Sequence, residues 1–302
     1  MGTATATGAR FIDPAVLARI GNLQLVARNV VDGFINGLHR APYLGLSLDF
    51  AEHRPYMPGD DIRRIDWRLY ARTDRYHVKE FEADTNANFA VLLDTSASMG
   101  YGSGPLTKLD YARYLTASLA YFSHGQRDRV GLVTFADDVG DYVPCSAKHM
   151  DVLLHAVDRA RPAGASDLPR VLRQVNELLR RRGIVVLVSD LYAEPAAVVG
   201  AVAPLRYRGH DVIVFHVLDP AELELPFDEP LSLEDLETGE RMPLVPAGVR
   251  ARYRERVAAH VAALRQELTN QRIDYALLDT SRPLDHALFA YLSARERLSR
   301  SR

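Results

Sequence analysis

The sequence predicts an α/β fold, a doubly wound and mainly parallel sheet with helices on both faces. Three observations predict it. From about Asn88 onward, short β-rich runs alternate with helical runs of about 10 to 15 residues, the pattern of successive βαβ units. One run, Ile184–Ser189, is the most apolar in the chain, as a strand covered on both faces must be. The 302 residues are 47% apolar and 25% charged, enough for a core under one large domain or two modest ones, and too apolar for disorder over most of the length.

The elements follow in order. The first dozen residues are small and polar. A helical rhythm then runs from Pro14 to about Leu38, with Asp13 as N-cap and apolar positions at Val16, Ile20, Leu23, Val26, Val30, Phe34 and Leu38. Pro42 to Asp84 is an irregular block dense in charge and aromatics, in which Tyr76, Val78 and Phe81 mark a short extended piece. The expected boundary lies near Ala87, which divides an N-terminal helix with a small β-containing module (1–87) from a sheet domain (88–302). In the sheet domain, strands are predicted at 89–93, 129–135, 139–143 (a short edge strand), 184–189, 211–218 and 273–278. Helices are predicted at 106–122, 148–160, 168–182, 195–207, 249–269 and 284–298. The stretch 222–247, with Thr238-Gly239 at its turn, reads as an inserted acidic hairpin.

Composition excludes several classes of function. No apolar run approaches the roughly 18 to 20 residues a bilayer requires, and the start lacks the charged and apolar regions of a secretory signal. Cys145 is the only cysteine, which excludes an internal disulfide and a thiolate metal cluster and points to the reducing cytoplasm. A net charge of −2 gives no global attraction to nucleic acid. Local charge is uneven. Asp219 to Glu240 holds nine acids and no base, whereas Gly248 to Arg302 holds 11 arginines against six acids. Solvated surface, internal pairing and a partner-facing patch are all readings of that asymmetry.

In a doubly wound sheet, ligands sit outside the carboxyl ends of the strands, where strand order reverses. The first sheet strand runs into Asp94-Thr95-Ser96-Ala97-Ser98, the apolar strand ends at Ser189-Asp190, and Gly164-Ala165-Ser166-Asp167 precedes a helix. Their carboxylate and hydroxyl oxygens are hard ligands suited to Mg²⁺ or Mn²⁺. The plain alternative is helix capping by the same residues, most evenly balanced at Ser166. Gly100-x-Gly102-x-Gly104 lacks the lysine of a phosphate loop and reads as a flexible loop. No nucleophile elbow or His–Ser pairing is recognisable, and His149, His155, His210 and His216 read as surface or satisfied core residues.

Asp94-x-Ser96-x-Ser98 resembles the metal-ion-dependent adhesion site of von Willebrand factor A-type domains. The resemblance implies metal contacts from Asp94, Ser96 and Ser98, support from Asp190, and a second-loop ligand at Ser166, where that family usually has Thr. Asp167 could compete with Ser166. Upstream, Arg54-x-Tyr56-x-x-Gly59-Asp60-Asp61-x-Arg63-x-Ile65-Asp66-Trp67, then Ala71-Arg72-Thr73 and Val78-Lys79-x-Phe81, is similar to the hallmark of a bacterial domain-of-unknown-function family associated with MoxR-type AAA+ ATPases. In this chain the segment also reads as an ion-paired aromatic clasp. The two resemblances together imply a von Willebrand A-like sheet ordered 3-2-1-4-5-6 with one antiparallel edge strand. They imply binding rather than turnover: a metal-dependent adaptor that takes an Asp or Glu from a protein ligand beside such an ATPase. A metal-assisted hydrolase or phosphoryl-transfer enzyme and a metal-free scaffold are the rival expectations.

Overall fold

The computed structural model describes residues 22–40, 53–55, 70, 75–79 and 87–300. Helix α1 (Leu23–Arg40) is followed by strands β1 (His53–Pro55) and β2 (His77–Lys79), an antiparallel pair with Arg54 opposite Val78. The predicted cap Asp13, Phe81, and the Gly59–Trp67 segment lie outside the described residues. Within them, the Asn22 side chain accepts the Leu25 N–H (3.0 Å) at the start of α1.

The sheet domain then alternates as expected. Its elements are β3 (Asn88–Asp94), α2 (Lys108–Gly125), β4 (Arg129–Phe135), β5 (Val139–Ser146), α3 (Met150–Arg159), α4 (Leu168–Leu178) and β6 (Gly183–Ser189). They continue through α5 (Pro195–Tyr207), β7 (Asp211–Leu218), α6 (Pro220–Glu224), the hairpin β8 (Leu231–Glu234) and β9 (Arg241–Leu244), α7 (Pro246–Asn270), β10 (Asp274–Asp279) and α8 (Asp285–Arg300). The six-stranded sheet runs β10-β7-β6-β3-β4-β5. Only β5 is antiparallel. Numbered within the domain this is 3-2-1-4-5-6, the order expected of the von Willebrand A-like arrangement. No helix among the described residues is long and apolar enough to cross a membrane.

Period-two alternation explains why the central strands are apolar on both sides. Phe89, Val91 and Leu93 face a core shared with α1, α2, α3 and α8, while Ala90 and Leu92 face one shared with α4, α5 and α7. β6 and β7 divide in the same way, Val186 and Phe215 on the first face, Leu187 and Val214 on the second. Helix α1 therefore belongs to the sheet's own cover. Val26, Ala27, Val31 and Phe34 are buried in the first core, although the expected boundary assigned this helix to a separate module.

Three boundaries shift for physical reasons. Helix α2 begins at Lys108 because Thr107 and Asp110 close a capping box, each side chain accepting the other's backbone N–H. Helix α4 stops at Leu178, and Arg180–Arg182 turn the chain back into the sheet. β5 continues past Val143 to Ser146, where an edge position tolerates Pro144. The inserted hairpin proper is 231–244; Glu222, expected within it, belongs to α6.

Candidate functional site

Strand order reverses between β3 and β6, and the carboxyl ends of these strands carry Asp94 and Asp190. Asp94 is fully buried. One carboxylate oxygen accepts the Ser96 N–H (2.8 Å) and the other accepts the Ser189 hydroxyl (2.6 Å). The Ser96 and Ser98 hydroxyls lie 3.1 Å apart on a turn of 3₁₀ helix, Ala97–Gly100. Their loop is pinned at both ends. Thr95 donates its N–H to Phe135 at the end of β4 (2.7 Å), and the Ala97 N–H donates to the Gly164 carbonyl (2.8 Å). Ala163 returns a bond to the Thr95 carbonyl (2.9 Å), so the second loop is locked against the first.

Ser166 lies two residues from Gly164 on that second loop. It is exposed, and its N–H donates to the Glu237 carboxylate (3.2 Å) at the tip of the β8–β9 hairpin. The helix cap expected at Ser166 is made instead by Asp167, whose side chain accepts the Arg170 N–H (3.0 Å). The reason is register, since a carboxylate immediately before the first helical residue reaches the N3 amide.

Asp190 is also buried, and it has a partner the sequence did not suggest. Lys108, fully buried at the start of α2, donates to Asp190 (2.8 Å) and to Glu222 (2.7 Å). The Tyr192 ring lies over the same ammonium, 4.8 Å from Nζ. Glu222 in turn accepts the Asp219 N–H (2.8 Å) in the capping box of α6, and the Tyr253 hydroxyl donates to its carbonyl (2.7 Å). Asp219 is fully buried and accepts the Ser103 N–H (2.9 Å). That bond corrects the expectation of a flexible glycine loop. A Cβ on Gly102 would stand 2.5 Å from the Leu106 carbonyl oxygen, so the loop is a packed turn that requires glycine. The same contacts show internal pairing, one of the readings of the Asp219–Glu240 run, for its first two acids, Asp219 and the partly buried Glu222.

Electrostatics divide the cluster in two. Burial, and next the negative charge of Asp190, push Asp94 up to about 7, against the opposing hydrogen bonds from Ser189 and Ser96. Burial also raises Glu222, with the Lys108 charge opposing it. Asp190 and Glu222 thus share a resident cation, and Asp94 has only hydrogen bonds. The donors near Asp94 are hard oxygens, and no group of three or more His, Cys, Asp or Glu suited to a metal occurs among the described residues. His216 borders the cluster: it is buried beside the Asp190 backbone, with Nδ1 2.7 Å from the Tyr275 hydroxyl, and burial and then His260 push it down to about 3.

Lys108, Asp219 and Glu222 are the site residues that sequence reasoning missed; Ser189 was named at its strand end, but not its bond to Asp94. One signal was present. Lys108 is one of three lysines among 37 basic residues, in a chain that otherwise uses arginine.

Comparison with known proteins bears on this arrangement. A family model described as "Protein of unknown function DUF58" matches residues 52–263, which spans the expected boundary at 87. The "Uncharacterized protein Rv1480" of Mycobacterium tuberculosis and the "Uncharacterized protein Mb1516" of Mycobacterium bovis are each 29% identical over 294 residues, covering 94% of this chain and 91% of their own. Among solved structures, the conserved hypothetical protein BatB from Bacteroides thetaiotaomicron aligns with a TM-score of 0.48 at 14% identity, over 70% of this chain and 99% of that one. The SpRpn10 VWA domain aligns with a TM-score of 0.40 at 12% identity, over 66% and 92%.

Proposed function

Because this chain belongs to the DUF58 family of proteins of unknown function, we propose that it is a protein-interaction module, with the carboxyl edge of its sheet as the docking point. Asp94, Ser96 and Ser98 would hold a divalent cation, Mg²⁺ or Mn²⁺, with Ser166 supplied from the second loop and Asp190 oriented behind it. When bound, the ion offers an exchangeable coordination position that favours a partner's Asp or Glu. The remaining work belongs to the chain. Ser189 and the Ser96 amide hold the Asp94 carboxylate in one orientation. The Gly164–Ala97 bond keeps Ser166 near the loop, and Lys108 fixes Asp190 while neutralising it. Docking in this way suits an adaptor that works in the cytoplasm with a MoxR-type AAA+ ATPase on the assembly of another complex.

One observation carries this reading. A buried carboxylate beside two hydroxyls only 3.1 Å apart is held toward its protonated form, which a nearby cation would reverse. The test is titration calorimetry with MgCl₂ and MnCl₂ on wild type and Asp94→Ala, followed by capture of an ATPase with and without chelator. Uptake of the ion by wild type alone, with capture that requires it, is expected. Capture that is indifferent to chelator and to Asp94→Ala would overturn the metal-dependent reading in favour of a metal-free scaffold. Metal-dependent turnover would overturn it in favour of an enzyme.

A further inference from the structure

The amino edge of the sheet is as distinctive as the carboxyl edge. Because five of the six strands run parallel, the turns that enter β6, β7 and β10 share one end of the molecule. Those turns carry Arg181, Arg182, Arg208 and Arg272, all exposed. Contacts knit them into a single surface. Arg208 donates to the Asn176 carbonyl, a Cβ on Gly209 would lie 2.8 Å from Arg182 Nε, and the Tyr207 hydroxyl donates to the Gln271 side chain (2.8 Å). Some exposed arginines elsewhere are paired with carboxylates, as in Arg170–Asp138, Arg241–Glu234 and Arg254–Glu224. None of these four has a carboxylate partner among the described residues. Tyr207, beside Arg208, is 75% exposed, and Tyr and Arg are among the residues enriched at interface hot spots.

A complementary surface exists at the other end of the same chain. The tip of the β8–β9 hairpin presents Asp235, Glu237 and Glu240, with Leu236 and Met242 exposed beside them. The Ser166–Glu237 bond holds this tip at the carboxyl edge. Strands of seven residues separate the two surfaces by roughly 20 Å, so they cannot meet within one molecule. We propose that the arginine edge binds the acidic hairpin of a second copy of this chain, head to tail. Such a contact uses different patches on the two copies and therefore extends into a row or closes into a ring. Its charge complementarity sets orientation and makes it sensitive to salt.

The experiment is sedimentation velocity of the full chain over a range of concentrations at low and high salt. Wild type is expected to associate at low salt and to weaken by roughly tenfold or more when salt screens the contact. The charge reversals Arg181→Glu with Arg208→Glu, and separately Glu240→Lys, should each weaken association by about tenfold or more while leaving the Tm unchanged. Mixing the two variants, or combining all three substitutions in one chain, should restore it. A wild type that stays monomeric at low salt would overturn the proposal. So would association that survives either reversal, or that is lost without rescue, which would point to a different acidic partner for the arginines. None of these outcomes depends on the metal reading, because the readout is mass and needs no divalent ion.

Discussion

The two ends of the sheet are built from the same kind of turn and treat charge in opposite ways. At the carboxyl end Asp94, Lys108, Asp190 and Asp219 are buried, and all four are tied to partners from distant parts of the chain. At the amino end Arg181, Arg182, Arg208 and Arg272 stand in solvent. The contrast teaches that position along a strand does not decide burial; what covers the strand end does. The carboxyl end is roofed by α6, the start of α7 and the Gly100–Gly104 turn, through the Ser103–Asp219 and Tyr253–Glu222 bonds. A buried charge must be matched, whereas an exposed one is screened at little cost.

The sharpest way to break this contrast is to remove the buried cation. Lys108→Ala leaves Asp190 and Glu222 facing each other without compensation, and urea unfolding should show a loss of about 3–5 kcal/mol. Adding Asp190→Asn and Glu222→Gln should recover part of it, because the stranded charges go with the lysine. A loss below about 1 kcal/mol would mean that water reaches the pair.

The next effect concerns Asp94 in protein kept free of divalent cations. Its carboxyl lies near 7 in the fold and near 3.8 in the unfolded chain, so the folded state holds a proton that the unfolded state has released. That contribution is full below about pH 4 and is lost as pH rises toward 7. Asp94→Asn removes the charge, keeps the Ser96 N–H bond through its amide oxygen, and can meet Ser189 only by donating its NH2 to the rotated hydroxyl. It should flatten the decline and leave the variant more stable at neutral pH by on the order of 2 kcal/mol. A parallel pH profile for both proteins would remove the electrostatic basis of the site.

Near the amino end lies Cys145, half-covered on β5, with its thiol directed at the Phe89 carbonyl (3.6 Å). Burial pushes the thiol up to about 11, so little thiolate exists at pH 8. Alkylation by iodoacetamide, followed by mass spectrometry, should run at least about tenfold slower than in denatured protein. The smallest effect belongs to the amino end. Arg181→Glu should change stability by less than about 0.5 kcal/mol, since nothing buried depends on it.

How much of this was legible in the sequence depends on the distance over which each feature is encoded. The strands were legible because alternation and apolar runs are local, and the sheet order was expected from the resemblance to von Willebrand A-type domains. Asp94, Ser96 and Ser98 were legible because they lie within five residues of one another at a strand end. Asp190 was legible from the same strand-end logic. The Ser189–Asp94 bond and the roles of Lys108 and Glu222 were not, because each links residues 82 to 114 positions apart. Asp167, and not Ser166, took the helix cap because it stands immediately before the first residue of α4, where the carboxylate reaches the Arg170 N–H.

The sequence by itself determined the alternation of strands and helices, the strand ends that carry the hard oxygens, and the unequal distribution of acids and arginines. Those properties follow from periodicity and from covalent neighbours. Only the tertiary structure decided which charges are sheltered and which stand free. It placed the lysine of α2 between two acids, brought α1 into the main core, and sent the arginines and the acidic hairpin to opposite ends. Burial and pairing depend on which distant segments pack together, and the Coulomb energy of a pair changes several-fold with the medium in which that packing leaves it.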